Sequence, residues 1–541
     1  MAKMTGNRYF AEAMRGYGVT HLFYVNSIIG NAMKEAENLG VKRVITHGEK
    51  PAAYMADGYA RASHRPGVCL AQDIGSTNLL AGLRDPHMSS SPVIAITGGQ
   101  HDQSRYRHAY QNAEDFSAWN VVTKANYSVD HVSRLPDLLR QAFRTATTGT
   151  PGPVHLELRG NSGQMLDAEG EFDLTWEERY MRYPAFRPAA EPDAVKAALA
   201  VLARAAKPVI VAGGGAAASG AGPEIVKLAE TLSIPIATSL HARSIVPDDH
   251  PLNVGVPGSY SRWCANKAVQ AADLVLFIGS HSGGQVTNAW QIPKLGTPTI
   301  QIDINPQELG RNYPNAVSLC GDAKVVVRQM LDGIGKEPAR RAEWIEQIQS
   351  YVADYWAESE PLRTSDATPM RPERICREIE QWLPGNAALV VDTFHAAMWT
   401  AQMIKMKAGQ SYIRCGGSLG WAFPATIGVK AALPDRPVIG FAGDAGFYYH
   451  LAELETAARA GLNIVMVVNT NYSGGVLENV RFTPTVDFSK VAEAMGCVGI
   501  RVEKPADVRP ALESALAAGR PAVVDIVSDP AVRAQRGWVP G

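Results

Sequence analysis

Apolar runs without polar alternation recur along the chain, and each ends in glycine or in a polar residue. Examples are "PVIAITGG", "PVIVAGGG", "DLVLFIGS" and "NIVMVVN". Such runs are typical of strands that are buried on both faces of a parallel sheet. The stretches between them carry apolar residues at helical spacing, which predicts helices packed on both faces. The pattern therefore predicts an α/β protein built from doubly wound parallel sheets.

Two stretches of different composition divide the 541 residues into three such segments. The polar and aromatic "EGEFDLTWEERYMRYPAFRPAAEP" predicts a linker, and the charged "GKEPARRAEWIEQIQSYVADYWAESE" predicts a connecting helix. We therefore expect a first domain at residues 1–185, a second at 186–335 and a third at 366–541. A chain of this length is too long for a single core, which agrees with this division.

Composition narrows the class of protein. Charged residues make up 19% of the chain and the net charge is −1, without a basic run, so nucleic acid and anionic membranes are not expected partners. The N-terminal "MAKMTGNRYFAEAMRGYG" predicts an amphipathic helix and lacks the apolar core of a signal peptide. Six cysteines without CxxC spacing predict small buried residues rather than disulfides or zinc ligands. We expect a cytoplasmic protein.

One strand–helix–strand unit carries candidate chemistry: "VIGFAGDAGFYYHLAELETAARAGLNIVMVVNTN". Its first strand ends at Gly443 and Asp444, and its second ends before Asn471. A crossover of this kind makes the strands parallel neighbours, so both ends lie at the sheet edge where ligands of open α/β sheets bind. A carboxylate, an amide oxygen and glycine amides suit a hard cation that holds a phosphate. The alternative is a structural turn with Asp444 as a helix cap.

A second segment, "HGEKPAAYMADGYARASHRPGVCLAQDIGSTNLLAGL", places Glu49 at the start of a helix. This carboxylate either complements the helix dipole or points at a ligand. The small residues that follow permit close packing against another surface, within the chain or on another subunit; they include Ala52, Ala53, Ala56 and Ala60. The glycine run in "PVIVAGGGAAASG" lacks G-x-G-x-x-G spacing, so we do not expect NAD there.

Together, the two segments resemble the thiamine-diphosphate-dependent family of acetohydroxyacid synthases, benzoylformate decarboxylases and pyruvate oxidases. The resemblance covers nearly the whole chain, and its three domains would be pyrimidine-binding, central and diphosphate-binding. The family motif is Gly-Asp-Gly followed by Asn-Asn, whereas this chain has Ala445 and Thr470 at two of those positions. The resemblance implies thiamine diphosphate and Mg²⁺ as cofactors.

The resemblance also assigns roles to single residues. Glu49 would bind the aminopyrimidine ring, the Gly417 carbonyl would accept from its amino group, and Leu419 would support the thiazolium, with core packing as the alternative for Leu419. The expected Mg²⁺ ligands are Asp444, Asn471 and the backbone carbonyl of Ser473. The expected diphosphate contacts are Gly443, Asp444, Ala445, Gly446, Asn471, His395 and Ala396.

The substrate pocket is expected to draw on several loops. By their positions in the family pattern or at strand ends, the candidates are Gln100, His101, Gln111, His281, Val476 and Leu477. Leu477 replaces an acidic residue of the pyruvate decarboxylases. The histidines have an alternative interpretation as surface-loop residues.

The resemblance thus implies a lyase or transferase that decarboxylates a 2-oxo acid and joins the product to an aldehyde or a second keto acid. Flavin-dependent relatives carry an arginine and acidic residues where "GSHSGGQ" stands, so FAD is not expected. The alternatives are an FAD-containing synthase or oxidase of the family, and a non-catalytic or NAD-binding Rossmann assembly. Because family members build each site from two subunits, we expect a homodimer or homotetramer.

Overall fold

A computed structural model describes residues 1–335, 340–473, 481–535 and 537–538. The protein contains three six-stranded parallel sheets, each covered by helices. The predicted fold class is therefore confirmed. Each sheet lies inside one of the three expected segments, and the domain boundaries themselves stay a prediction.

The first sheet has the strand order β3-β2-β4-β5-β7-β6, and a separate ribbon pairs β1 with β8. The elements of this part of the chain are β1 (Ala2–Thr5), α1 (Gly6–Gly16), β2 (His21–Tyr24), α2 (Gly30–Asn38), β3 (Lys42–Ile45), α3 (Glu49–Ser63), β4 (Gly67–Ala71), α4 (Ser76–Met88), β5 (Val93–Gly98), β6 (Ala125–Val129), α5 (Leu135–Thr147), β7 (Val154–Leu158) and β8 (Glu169–Phe172).

The second sheet has the order β11-β10-β9-β12-β13-β14. Its elements are α6 (Pro192–Arg204), β9 (Pro208–Ala212), α7 (Gly214–Ser219), α8 (Gly222–Leu232), β10 (Ile236–Thr238), β11 (Asn253–Gly255), α9 (Trp263–Ala271), β12 (Leu274–Ile278), β13 (Thr299–Asp303), β14 (Asn315–Cys320) and α10 (Ala323–Asp332). The long helix α11 (Ala342–Arg363) leads to the third part of the chain, as its charged sequence predicts.

The third sheet has the order β16-β15-β17-β18-β20-β19. Its elements are α12 (Pro372–Trp382), β15 (Ala388–Val391), α13 (His395–Met403), β16 (Ser411–Arg414), α14 (Ala422–Ala432), β17 (Val438–Gly443), α15 (Asp444–Tyr448), α16 (Glu453–Arg459), β18 (Val465–Thr470), α17 (Phe488–Ala494), β19 (Val498–Val502), α18 (Val508–Ala517) and β20 (Ala522–Val527).

The central strands are buried along their whole length, as their unbroken apolar sequence predicts. All residues of β5, β7, β9 and β12 are buried. Parallel strands of this kind bring their carboxyl ends to one edge of each sheet. The site is built on these edges.

Two details differ from the expectations. The predicted N-terminal helix begins only at Gly6, because Ala2–Thr5 pairs antiparallel with Glu169–Phe172, which is the start of the expected linker. All six cysteines are free, and five are buried, but Cys320 is exposed. No helix in the described part of the chain is long and apolar enough to cross a membrane.

The small-residue helix α3 packs against α14 of the same chain. The two backbones touch, because a Cβ atom at Gly58 would lie 2.4 Å from the carbonyl oxygen of Ala425. The buried face of α3 includes Ala53 and Ala56, which are 0% exposed within one chain. The small residues therefore serve an intrachain contact between the first and third sheets, which is one of the two alternatives that the sequence left open.

Candidate active site

Asp444 lies at the end of β17, beside the end of its parallel neighbour β18. The Asp444 side chain is 4% exposed. Its Oδ1 accepts a hydrogen bond from Ala445 N at 2.7 Å, and its Oδ2 accepts from Asn471 N at 3.1 Å and from Tyr472 N at 2.6 Å. Burial raises the pKa of Asp444 to about 6, although these backbone donors oppose the rise. The carboxylate thus ties the two strand ends together.

Two asparagines lie at the end of β18, the strand beside Asp444. The Asn471 Oδ1 atom accepts from Ser473 N at 2.9 Å. Asn469 pairs in register with Gly443, is 5% exposed, and its Oδ1 atom has no hydrogen-bond partner. Within the described residues no group of three His, Cys, Asp or Glu side chains could hold a metal ion. A cation here would therefore depend on one carboxylate with amide and carbonyl oxygens, a donor set that suits Mg²⁺.

Helix α13 begins at His395, directly after the neighbouring strand β15. His395 is half-buried, and Ala396 is 5% exposed. At the other end of the helix, Arg243 and Arg262 both donate to the carbonyl oxygen of Ile404. Cations at a helix C-terminus are favourable because they complement the helix dipole. The helix is therefore fixed by the second domain, with its N-terminus at the sheet edge.

The loop between β16 and α14 carries Gly417 and Leu419. The Asp392 carboxylate at the end of β15 accepts from Gly420 N at 3.1 and 3.2 Å. A Cβ atom at Gly446 would lie 2.9 Å from Asp392 Oδ2 and 3.5 Å from Leu419 Cδ1. Leu419 therefore lies against the start of α15, next to Asp444. Burial raises the pKa of Asp392 to about 7.

Glu49 is the first residue of α3, as the sequence predicts. Its carboxylate is half-buried and accepts from Asn78 Nδ2 at 3.3 Å, while its Oε1 lies so close to Gly75 that a Cβ there would be 2.4 Å away. The turn before it is held by the third domain, because His47 N donates to Glu453 Oε1 at 3.0 Å.

Two glutamines lie at the same edge of the first sheet as Glu49. Gln111 accepts through Oε1 from Gln72 Nε2 at 2.9 Å. Gln100 is 8% exposed, donates to the Ala113 carbonyl at 3.4 Å, and leaves its own Oε1 without a partner. His101 is exposed and accepts from Gln103 N through Nδ1, as a surface-loop histidine does. Gln100 therefore offers an unused acceptor, whereas His101 caps a turn.

His281 lies elsewhere, at the rim of a cavity of about 410 Å³. Glycines of residues 213–215, the carboxylates of Asp303 and Asp322, and Gly416 also line this cavity. It reaches from the central sheet to the loop that carries Gly417. The structure therefore separates His281 from the residues around Gln100. Val476 and Leu477 lie outside the described residues.

Sequence reasoning missed three residues: Asp392, Asn469 and Asp85 of α4, whose carboxylate accepts from the backbone of residues 416–418. Asp392 follows the apolar run "ALVV" just as Asp444 follows "VIGFAG", so the same signal could have found it. Asn469 is a polar residue inside a buried strand, which is a signal in itself. Asp85 carries no such signal, because its partners are far away in the sequence.

Comparison with known proteins agrees with this geometry. The chain matches the N-terminal TPP binding domain of thiamine pyrophosphate enzymes at residues 4–119, their central domain at residues 195–330 and their C-terminal TPP binding domain at residues 392–526. The protein belongs to the family of thiamine pyrophosphate enzymes, whose cofactor is thiamine diphosphate. The alternative of a non-catalytic or NAD-binding Rossmann assembly is therefore set aside.

Three relatives are similar over almost the whole chain. A probable acetolactate synthase large subunit of Methanocaldococcus jannaschii is 32% identical over 90% of this chain and 85% of its own length. An acetolactate synthase large subunit of Corynebacterium glutamicum is 30% identical over 90% of this chain and 80% of its own. A glyoxylate carboligase of Escherichia coli O157:H7 is 30% identical over 96% and 91%, respectively.

Proposed function

We propose that the protein uses thiamine diphosphate and Mg²⁺ to decarboxylate a 2-oxo acid and to join the product to a second carbonyl compound. The observation that carries the proposal is the meeting of Asp444 and Asn471 at adjacent strand ends, with Leu419 packed beside them. The names of the relatives, acetolactate synthase and glyoxylate carboligase, support a 2-oxo acid substrate and a carbon–carbon bond-forming outcome.

Mg²⁺ would be held by Asp444, by the side-chain oxygen of Asn471 and by the Ser473 carbonyl. Asn469, two residues before Asn471 along the chain, has a buried side-chain oxygen without a hydrogen-bond partner. Hard oxygen donors of this kind suit Mg²⁺, which keeps its remaining positions for water and phosphate oxygens. The backbone at Gly443, Ala445, Gly446, His395 and Ala396 would line the diphosphate.

Bound thiamine diphosphate supplies the carbon nucleophile for the substrate carbonyl and takes up the electron pair that decarboxylation leaves. The chain orients this chemistry. Glu49 would hold a proton at the pyrimidine ring, and the Gly417 carbonyl would accept from the amino group of that ring. A backbone carbonyl is a suitable acceptor because the fold fixes its position. Leu419 would support the other ring and exclude water beneath it.

The acceptor oxygen of Gln100 and the amide of Gln111 are proposed to face the substrate, because both lie at the sheet edge that carries Glu49. The Oε1 atom of Gln100 is a buried acceptor without a hydrogen-bond partner, so a donor group of the substrate could bind to it. Val476 and Leu477 stay as candidates from the family pattern, and His101 stays as a candidate from its place at a strand end. We propose that His281 lines the mouth of the 410 Å³ cavity and does not face the substrate.

We infer that the central domain holds no FAD. The described lining of the 410 Å³ cavity contains no Lys or Arg that could pair with a diphosphate, and Asp322 at its wall already pairs with Arg187 at 3.1 Å. The segment with His281 has Ser, His, Gly and Gln where flavin-dependent relatives carry an arginine and acidic residues. The absorbance spectrum of the purified protein decides this point, since bound flavin would give a yellow protein and favour the FAD-containing synthase or oxidase.

We further propose a homodimer, paired into a homotetramer, located in the cytoplasm. Glu49 belongs to the first domain and Asp444 to the third, and the family resemblance implies that each cofactor lies between two subunits. We also propose domain boundaries at residues 1–185, 186–335 and 366–541. They place Glu49 in the first domain and Asp444 in the third, which are the two domains that would form each site.

The test is a panel of 2-oxo acids, with and without added aldehydes or second keto acids, and with product identification by mass spectrometry. Glu49→Gln should keep thiamine diphosphate affinity but lose at least about 100-fold in turnover, the range expected when a group that acts on a proton is removed. Glu37→Gln, an exposed change in the same domain, is the matched control. Full turnover in Glu49→Gln would refute the proposed function.

A further inference from the structure

The loop that carries Gly417 and Leu419 is held by a carboxylate from another domain. Asp85, on α4 of the first domain, accepts from Gly416 N at 2.7 Å, from Gly417 N at 3.1 Å and from Ser418 N at 3.0 Å. Three consecutive backbone donors thus converge on one side chain. The loop cannot shift along the first domain without breaking these bonds.

An arginine completes this contact. Arg61 Nη2 pairs with Asp85 Oδ1 at 2.9 Å and with Asp57 Oδ2 at 2.5 Å. Its Nη1 donates to the Arg414 carbonyl just before the loop, and its guanidinium lies 4.8 Å from the Trp421 ring just after it. Asp85 and Arg61 together therefore contact the residue before the loop, the backbone of the loop and the residue after it.

The groups of this contact are charged and buried. The side chains of Asp85 and Asp57 are 0% exposed, and that of Arg61 is 11% exposed. Burial alone would raise the pKa of Asp85, but the charge of Arg61 and the three backbone donors outweigh it and lower this pKa. Hydrogen bonds to an ionised acceptor are shorter and about twice as strong as neutral ones.

We propose that Asp85, supported by Arg61, is a positioning residue that sets where the Gly417 carbonyl and the Leu419 side chain meet the cofactor. The inference rests on the proposed roles of Gly417 and Leu419. Asp85 touches neither the metal ligands nor the expected diphosphate contacts. It would therefore affect where the Gly417 carbonyl and the Leu419 side chain lie against the cofactor, and not the affinity for the cofactor.

The test compares Asp85→Asn with Asp57→Asn. Each variant removes one carboxylate from the same buried Asp–Arg–Asp group and leaves Arg61 with one carboxylate partner. Only Asp85 accepts from the backbone of residues 416–418, whereas Asp57 accepts from the side chain of Trp421, Nε1 at 2.9 Å, after the loop. In Asp85→Asn apoprotein we expect the amides of residues 416–418 to exchange with deuterium at least about 10-fold faster. In the loaded enzyme, turnover and exchange of the cofactor C2 proton should fall about 100-fold, the effect of a misplaced group, while the dissociation constant of thiamine diphosphate changes less than about fivefold.

Equal loop exchange and equal turnover in the two variants would overturn the proposal. If Asp85→Asn does not fold, Gly416→Ala tests the same point, because a Cβ there would lie 2.6 Å from Ser89 Oγ and 3.3 Å from the Asp85 carbonyl oxygen and so crowd the loop against the end of α4 without removing a charge. It should show the same loss of turnover with retained affinity, and a wild-type response would overturn the proposal. Full turnover in Glu49→Gln would instead refute the proposed function, and the apoprotein exchange would still test the loop contact.

Discussion

Gly428 on α14 lies directly against the backbone of Met55 on α3, where a Cβ atom would be 1.9 Å from the Met55 carbonyl oxygen. This contact joins the first and third domains, and no side chain could move aside to make room. Gly428→Ala should therefore lower the free energy of unfolding by about 1–3 kcal/mol or more, the usual cost of overpacking. Urea denaturation followed by circular dichroism measures the effect.

Gly30→Ala is the control for this substitution. Gly30 also lies in a helix, α2, but nothing lies within 4 Å of a Cβ atom there. Alanine meets no atom at this first helical position and is a better helix former than glycine, so this variant should match or exceed the wild type in stability. Equal stability of the two variants would mean that the helices can separate at Gly428.

Phe394 has φ +57° and ψ −131°, immediately before α13. This backbone conformation costs a residue with a Cβ atom about 1–3 kcal/mol, and glycine is largely spared. Phe394→Gly and Phe394→Ala both remove the ring, which lies 4.4 Å from that of His395, but only glycine removes the strain. The glycine variant should therefore be the more stable of the two by about 1 kcal/mol or more.

At an unstrained position the alanine variant would be the more stable one, because its unfolded chain has less conformational entropy to lose. The order expected at position 394 is the reverse. Chemical denaturation of both apoproteins, with thiamine diphosphate absent, measures it without a contribution from binding. An alanine variant as stable as the glycine variant would show that the segment relaxes to an ordinary conformation at no cost.

His21 gives a pH-dependent prediction. It is 7% exposed, and burial, with a smaller effect of Lys42, lowers its pKa to about 4. Because the folded pKa lies below the unfolded value of about 6.5, the stability that neutral His21 contributes is present above that pH and is lost as pH falls toward 4. Relative to His21→Gln, the wild type should lose about 2–3 kcal/mol between pH 7 and pH 4.5. Parallel stability curves for the two proteins would contradict this.

The sequence predicts the parts of the site that depend on order along the chain. Asp444 and Asn471 end consecutive buried strands, so the rules for parallel sheets bring them together, and the structure does so. Glu49 begins its helix as predicted. These positions can be predicted from a local sequence pattern together with the rule that parallel strands bring their carboxyl ends to one edge of the sheet.

The remaining features depend on contacts that no local pattern carries. Asp85 and Gly416 are separated by 331 positions and meet only because two domains pack together. The N-terminal strand Ala2–Thr5 forms because Glu169–Phe172 offers it a partner, which its own sequence does not reveal. Likewise, the small residues of α3 predict close packing but not the identity of the packed surface.

The assembly gives the last prediction. If each site takes Glu49 from one subunit and Asp444 from another, Glu49→Gln and Asp444→Ala homodimers are both inactive. A heterodimer of the two has one site with both changes and one with neither. Mixing equal amounts under conditions that allow subunit exchange should therefore restore about a quarter of wild-type activity, because half of the dimers of a symmetric assembly become mixed.

The control is a mixture kept under conditions that prevent exchange, which should stay inactive. Sedimentation of the wild type at the assay concentration should show a dimer or a tetramer. If both residues of a site came from one chain, no mixture could regain activity, because every chain would still carry one defect. A fully active monomer, or persistent inactivity after proven exchange, would therefore contradict a site shared between subunits.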